Sequence, residues 1–245
     1  LRNLSLISHA SVGVYNNLDE LKLASDSVLP HVRTDIVEYL QATKNFGIRR
    51  MQLNYYKNPY PEIYTKISMG ILEEMFGGIG GEILYRPFDK KYSIGLSLHK
   101  VKQRAYNQLF SFKEYSTTTG HIGIYYDLPY KLRSQLLIGK YLAGDKGATL
   151  DLSKRFKSGF TLGVFATKTN LSVEEFGEGS FDKGFYISVP TYLFYPDYRS
   201  GTISFGLQPL TKDGGAILRK HNSLIGILGD TNSNSIIRDW DNLLK

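Results

Sequence analysis

Apolar and polar residues alternate along most of this chain, in runs of about ten. Over 62–71, Ile63, Ile67, Met69 and Ile71 hold one parity, and Glu62, Lys66, Ser68 and Gly70 the other. Residues 92–99 repeat the arrangement, with Tyr92, Ile94, Leu96 and Leu98 against Ser93, Gly95, Ser97 and His99. It returns over 159–168, 185–193 and 201–208. A period of two marks a strand with one apolar and one polar face. The run length matches the roughly 9–11 residues with which a tilted strand crosses a bilayer. The expected fold is all-β: a transmembrane, antiparallel, up-and-down β-barrel.

Strands are predicted near 3–15, 47–56, 62–71, 79–87, 91–103, 118–128, 131–142, 147–157, 159–169, 184–194 and 200–209. Single-chain bacterial barrels usually have even strand numbers. About 12 strands are therefore expected, the last supplied by 216–226 or by 31–40. On this reading residues 1–230 form an outer-membrane barrel, and residues 17–30 within it are a polar linker ending at Leu29-Pro30. Residues 231–245 form a separate tail. There Ile236, Ile237, Trp240, Leu243 and Leu244 recur at helical spacing behind Ser235 as N-cap. The tail reads as a short amphipathic helix that packs on the barrel's end or docks a partner.

The connections alternate in kind. Compact turns fall at 57–61, 88–91, 129–131, 157–158 and 195–199; between them lie the links 72–78, 104–117, 143–147 and 170–183, two of them long. Short turns on one side and longer loops on the other is the layout of a membrane barrel. The short side is assigned to the periplasm and the other to the exterior. The links are acidic overall and the turns basic. That division suits a dipolar barrel with an acidic outer rim, and equally the ordinary gathering of charge where the chain is wet.

Composition narrows the alternatives. The 18 Tyr and 13 Phe suit strands and the aromatic belts of membrane interfaces. A mean hydropathy of −0.24 fits a wall that is polar on one face. No run of eighteen or more apolar residues occurs, so no transmembrane helix is predicted. The absence of cysteine excludes disulfide scaffolds, Cys-based zinc sites and thiol catalysis. The net charge of +7 is dispersed, and no basic recognition helix appears, so nucleic acid is not an expected partner. The chain opens at Leu1 with neither an initiator Met nor a signal peptide, and reads as a mature form or a piece of something longer.

Candidate chemistry is sparse. Gly77-Gly-Ile-Gly-Gly81 lacks a following Gly-Lys-Ser/Thr and opens a strand, which argues against a phosphate loop and for a tight re-entry into 79–87. The five histidines fall in no metal-ligand spacing. Ser97, His99 and His121 lie on strands expected to pair, which leaves an outer-membrane hydrolase as a minor alternative. Adjacent strand residues such as Glu73 and Glu74 point to opposite faces, so they do not form a two-carboxylate site. No catalytic residues, metal or cofactor are assigned. By parity Arg50, Gln52, Asn54, Glu62, Lys66, His99, Arg133, Gln135, Asp151, Ser153 and Arg155 face inward. Arg50, Lys66, Arg133, Asp151 and Arg155 are the candidate polymer contacts. Their mixed charge suits the guidance of an acidic polysaccharide or a self-satisfied ion-pair plug.

Several stretches carry a family likeness: Leu29-Pro-His-Val-Arg-Thr-Asp-Ile36, Leu72-Glu-Glu-Met-Phe-Gly-Gly-Ile-Gly-Gly-Glu-Ile-Leu-Tyr-Arg-Pro-Phe88, Tyr141-Leu-Ala-Gly-Asp-Lys-Gly-Ala-Thr-Leu150, Phe176-Gly-Glu-Gly-Ser-Phe-Asp-Lys-Gly184, Pro209-Leu-Thr-Lys-Asp-Gly-Gly215 and Arg238-Asp-Trp-Asp-Asn-Leu-Leu244. Together, over most of 28–245, they resemble the C-terminal part of the YjbH family, outer-membrane proteins linked to exopolysaccharide and capsule production. The resemblance implies a Gram-negative barrel working beside small lipoproteins and periplasmic proteins in polysaccharide secretion. It also implies a longer protein that carries a second barrel. Three of the motifs fall on outer links, which suggests a constriction built from Glu73, Glu74, Asp145, Glu178 and Asp182. The expected function is to assist export or assembly of an extracellular polysaccharide at the bacterial outer membrane. A non-conducting scaffold is the alternative.

Overall fold

The computed structural model describes residues 3–22, 27–176, 181–195, 201–207 and 212–240. Eleven strands form one antiparallel sheet in strict chain order. They are β1 (Leu4–Val12), β2 (Phe46–Tyr60), β3 (Ile63–Ile71), β4 (Phe76–Tyr85), β5 (Tyr92–Arg104), β6 (Phe112–Leu128), β7 (Leu132–Lys140), β8 (Lys146–Arg155), β9 (Thr161–Thr169), β10 (Asp182–Pro190) and β11 (Thr202–Leu207). Each matches a stretch of period-two alternation. Four short helices accompany them: α1 (Ile36–Ala42), α2 (Val173–Phe176), α3 (Leu224–Leu228) and α4 (Ser233–Asp239). Among the described residues no helix is long and apolar enough to cross a membrane.

Among the described residues neither segment expected to supply a twelfth strand forms one. Residues 36–42 form α1, and residues 216–226 run through coil into α3. Neither segment has period-two patterning: Gly214 and Gly215 precede the second, and its buried apolar residues are Ala216, Leu218 and Leu224. The sheet is open between β11 and β1 among the described residues. Eleven alternating strands leave the first and last pointing the same way, so a ladder closing them would be parallel.

Burial is inverted relative to a water-soluble sheet. In β5 the apolar side chains Ile94, Leu96 and Leu98 are 46, 50 and 59% exposed, while Ser93, Ser97 and His99 are buried. The same holds for Ile79 and Ile83 on β4, Ile122 and Ile124 on β6, and Leu150 and Leu152 on β8. Register aligns these residues across the outer face: Ile83 opposes Leu96, Leu96 opposes Ile122, and Ile122 opposes Ile138. The apolar rows have definite edges. At the turn end Tyr85, Tyr92 and Tyr126 point outward on β4, β5 and β6, with Tyr92 directly opposite Tyr126. At the loop end the outward positions change to lysine: Lys100 and Lys102 on β5, Lys140 on β7, Lys146 on β8 and Lys168 on β9. On β8 the band runs between Lys146 and Lys154, about 27 Å along the strand. A tilt of about 40° reduces that to about 20 Å, close to the height of a lipid-facing band.

A small apolar cluster of Leu84, Tyr125 and Leu224 sits inside the wall, and the larger core lies at the loop end. There β5 reverses its pattern: Val101, 1% exposed, points inward while its neighbours Lys100 and Lys102 point out. Val101 packs with Val32, Tyr39, Leu72, Met75, Phe76, Leu142, Ala216 and Leu218. Residues 27–45, which contain α1, thus fold as a cap over this end. Tyr39 anchors it by donating to the Arg104 carbonyl at 2.5 Å.

Candidate functional site

The inner face is polar because it must satisfy a segment that lies against it. Residues 212–240 return along the interior from the loop end, where Asp213 and Gly215 sit, to the turn end, where Asn232 and Ser233 meet Lys90 and Phe88. Most of this segment is not helical and pairs with no strand, so its main-chain groups need other partners. Inner side chains supply them. The Asp145 carboxylate accepts from Gly215 N at 2.8 Å, and Glu73 accepts from Arg219 N at 2.8 Å. Arg33 donates to Ile217 O at 2.8 Å. Lys66 donates to His221 O at 2.9 Å and Asn222 O at 3.0 Å. Glu82 accepts from Leu224 N at 3.1 Å. Arg86 after β4 and Arg133 on β7 both donate to Gly229 O, so the sheet wraps far enough to grip one carbonyl from two walls.

Charge is paired along the same path. Lys66 and Glu82, directly opposed on β3 and β4, form a buried ion pair at 3.1 Å. Arg33 holds Glu73 at 2.7 Å. Near the turn end Arg133 bridges Asp127 at 3.1 Å and Asp230 at 2.9 Å, and Arg155 reaches Asp230 at 2.9 Å. The Asn232 side chain accepts from Ser235 N and caps α4, so the N-cap is Asn232 and not Ser235. Residues 241–245, with Leu243 and Leu244, lie outside the described residues.

The candidate polymer contacts Arg50, Lys66, Arg133, Asp151 and Arg155 occupy the inner side, in two classes. Lys66, Arg133 and Arg155 are committed to Glu82, to Asp127 and Asp230, and to Asp230, respectively, while Arg50 donates to the Leu72 carbonyl. Asp151 lines a cavity of about 420 Å³ between β7–β10 and the interior segment. Of the constriction candidates, Glu73 and Asp145 are buried and hold residues 215–219, so they do not form an exposed acidic rim. Burial lifts the Asp145 carboxyl above the usual aspartate value against the Gly215 hydrogen bond. Glu74 lies 3.9 Å from Arg49; Glu74 and Asp182 line the same cavity as Asp151, and Glu178 lies outside the described residues.

A second cavity, of about 340 Å³, opens near the turn end beside Arg133, Ser153, Arg155 and Asp230. Cavity walls alternate along the strands: Gln135 and Asp151 border the first, Arg133 and Ser153 the second. The two cavities therefore succeed each other along β7 and β8, on the side of the interior that residues 212–240 leave uncovered. Sequence reasoning missed Arg33, Glu82, Arg86, Asp127 and Asp230. Two of them carried a signal, since Glu82 on β4 points inward opposite Lys66 and Asp127 on β6 opposite Arg133, whereas the partners of Arg33, Arg86 and Asp230 are remote in the chain.

Ser97 and His121 are directly opposed on β5 and β6. The Ser97 hydroxyl contacts the His121 main-chain oxygen at 3.5 Å, while the imidazole packs edge-on against Tyr141. The glycines of 77–81 lie within β4 rather than in a re-entry turn, and Gly80 leaves room for the His99 ring. Among the described residues no three His, Asp or Glu side chains converge as a metal-binding group.

Comparison with known proteins gives two positive findings. A family model described as "Exopolysaccharide biosynthesis protein YbjH" matches residues 1–229. A protein of Escherichia coli (strain K12) named "Uncharacterized lipoprotein YjbH" is 40% identical over 227 residues, which are 89% of this chain and 32% of that protein. The chain thus spans about a third of that relative's length. No solved structure matches.

Proposed function

Because the chain belongs to the YjbH family of exopolysaccharide biosynthesis proteins, we propose that it is an outer-membrane β-barrel assisting export or assembly of an extracellular polysaccharide. The observation that carries the reading is the inverted burial: exposed Ile and Leu rows outside, buried Gln52, Asn54, Lys66, Ser68 and Glu82 inside. Exposing so much contiguous apolar surface to water is unfavourable, whereas lipid covers it at no cost. The outward tyrosines and lysines at the two edges support a bilayer between them. The relative's description as a lipoprotein supports a place in the cell envelope.

On this reading the partners are the bilayer, a capsule-like or other extracellular polysaccharide, and periplasmic or lipoprotein components of its secretion machinery. The chain acts without catalysis. The filled interior favours one variant of the proposal, a barrel that conducts nothing while residues 212–240 are seated. Membrane fractionation with a heat-modifiability gel tests the barrel: the folded chain should stay in outer membranes and migrate faster unboiled than boiled. A chain that partitions as a soluble protein would end the proposal. Planar-bilayer recordings then separate pore from scaffold: near-zero conductance from the native chain and open-channel currents when Lys66 and Glu82 are both replaced by Gln support a displaceable plug.

A further inference from the structure

The cavity between β7–β10 and residues 212–240 has an unusual wall. Strands β9 and β10 place two aromatic residues opposite two glycines, reciprocally: Phe165 pairs with Gly184, and Tyr186 pairs with Gly163. Each ring leans onto the space its glycine leaves. A Cβ on Gly184 would come within 2.6 Å of the Phe165 ring, and one on Gly163 would occupy the place of the Tyr186 ring. Glycine opposite an aromatic lets the ring lie flat on the sheet instead of standing off it.

Phe165 borders the cavity, where the neighbouring wall groups are Gln135, Thr149, Asp151, Thr167 and Asp182. Tyr186 is hydrogen-bonded to Asp151, its hydroxyl donating to Oδ1 at 3.0 Å, so one carboxylate oxygen is held and the group has a fixed orientation. Asp151 accepts from no arginine or lysine among the described residues, unlike the inner carboxylates Glu73 and Glu82. The volume of about 420 Å³ is that of a small-ligand pocket, with an aromatic surface and a few convergent polar groups.

We infer that this cavity is a glycan-binding subsite that seats one pyranose unit of a neutral polysaccharide segment on Phe165, with Asp151 accepting from its hydroxyls and Tyr186 as a positioning residue. A pyranose offers an apolar C–H face to the ring and a rim of hydroxyl donors to the carboxylate and to Gln135. The cations of the lining, Arg33, Arg50, Lys212 and Arg219, are matched in number by Glu73, Glu74, Asp151 and Asp182, so the cavity offers no net charge to draw a polyanion. The inference rests on the polysaccharide reading above, and it narrows the polymer to one that is uncharged where it contacts β8–β10.

The test uses the full chain in detergent micelles, with its heat-modifiable band verified, and saturation-transfer NMR titrations of cellotetraose, maltotetraose, chitotetraose and tetragalacturonate. At least one neutral tetrasaccharide should bind and tetragalacturonate should not. Phe165→Ala and Asp151→Asn should each weaken that binding about tenfold, the scale of one aromatic or charged contact. Phe165→Tyr, which keeps the platform, should retain it. Binding of none of the neutral probes, preference for tetragalacturonate, or equal binding by Phe165→Ala and Phe165→Tyr overturns the subsite. If the native chain shows no heat-modifiable band, the barrel reading itself falls, a result distinct from a folded barrel that ignores sugars.

Discussion

Strand β5 passes through two regions that obey opposite rules. Between Tyr92 and His99 its apolar side chains face out and its polar ones are buried; from Lys100 to Arg104 the lysines face out and Val101 is buried. The first region is held together by hydrogen bonds and ion pairs on its inside beside a small cluster of Leu84, Tyr125 and Leu224, the second by a nine-residue apolar core under the cap and by the buried Arg104, which donates to the Glu74 and Gln108 carbonyls. One strand therefore records a change of solvent along its length. Apolar burial stabilises only where water is the alternative, so the wall leans more on polar contacts than the cap does.

The largest effect should come from the wall's polar interior. Lys66→Met leaves the buried Glu82 carboxylate with only the more distant Lys220, at 3.9 Å, and frees the His221 and Asn222 carbonyls. A loss of about 3–5 kcal/mol is expected, read as a lower midpoint for disappearance of the heat-modifiable band. A shift below about 1 kcal/mol would mean the interior is wet and the pair unimportant.

Next is the outer band. Leu96 is 50% exposed, and on a water-soluble surface Leu96→Arg would cost almost nothing. Facing lipid near the middle of the band, the same change should cost about 2–4 kcal/mol. Refolding yields into phosphatidylcholine vesicles distinguish the two. Lys102→Leu, beyond the band's edge, should leave insertion unchanged.

In the cap, Val101→Ala removes two methyl groups from a closed apolar cluster and should cost about 1–2 kcal/mol. Faster proteolysis confined to residues 27–45, with the wall still heat-modifiable, would show that cap and wall unfold separately. Coincident loss of both would erase the distinction drawn from β5.

The smallest effect concerns pH. Asp35 receives hydrogen bonds from Tyr106 at 2.7 Å, Lys113 at 3.0 Å and His31 at 2.8 Å. Burial raises its carboxyl, but those bonds outweigh it and hold the group below the usual aspartate value. Burial lowers His31, and the bonds to Asp35 and to the Ser27 carbonyl outweigh that and hold it above the usual histidine value. Asp35's contribution is thus complete above about pH 4 and lost as acid protonates it; His31's is complete below about pH 6.5 and lost as the pH rises past its elevated value. Protection of α1 from protease should peak between these limits, and His31→Gln should remove the decline on the alkaline side only. An unchanged alkaline decline in that variant would exclude the pair as its cause.

The strands were legible because alternation over nine or more residues has one reading. Ile94, Leu96 and Leu98 could not serve a helix, and the links between strands fell where the pattern lapsed. The interior was less legible. Residues 216–226 are long enough to suggest a twelfth strand, yet they pass through the middle of the molecule, and remote groups, Arg33, Glu73, Lys66 and Glu82, make that path satisfiable. Phe165 shares the parity of the polar inner positions, but a lone aromatic among them carries no meaning until Gly184 is seen beside it. Asn232 took the capping role from Ser235 because the helix begins one residue after it.

The seam between β11 and β1 offers a route of assembly. Threading the interior stretch 212–240 lengthwise through a sealed cylinder is hard to reconcile with the carbonyls of Ile217, His221, Asn222 and Gly229 each finding a side-chain donor. The stretch can be laid in sideways through a gap, after the wall has curled and before anything bridges the two free edges. Whatever strand or partner sutures that gap would therefore lock residues 212–240 in place, and the lock would come last.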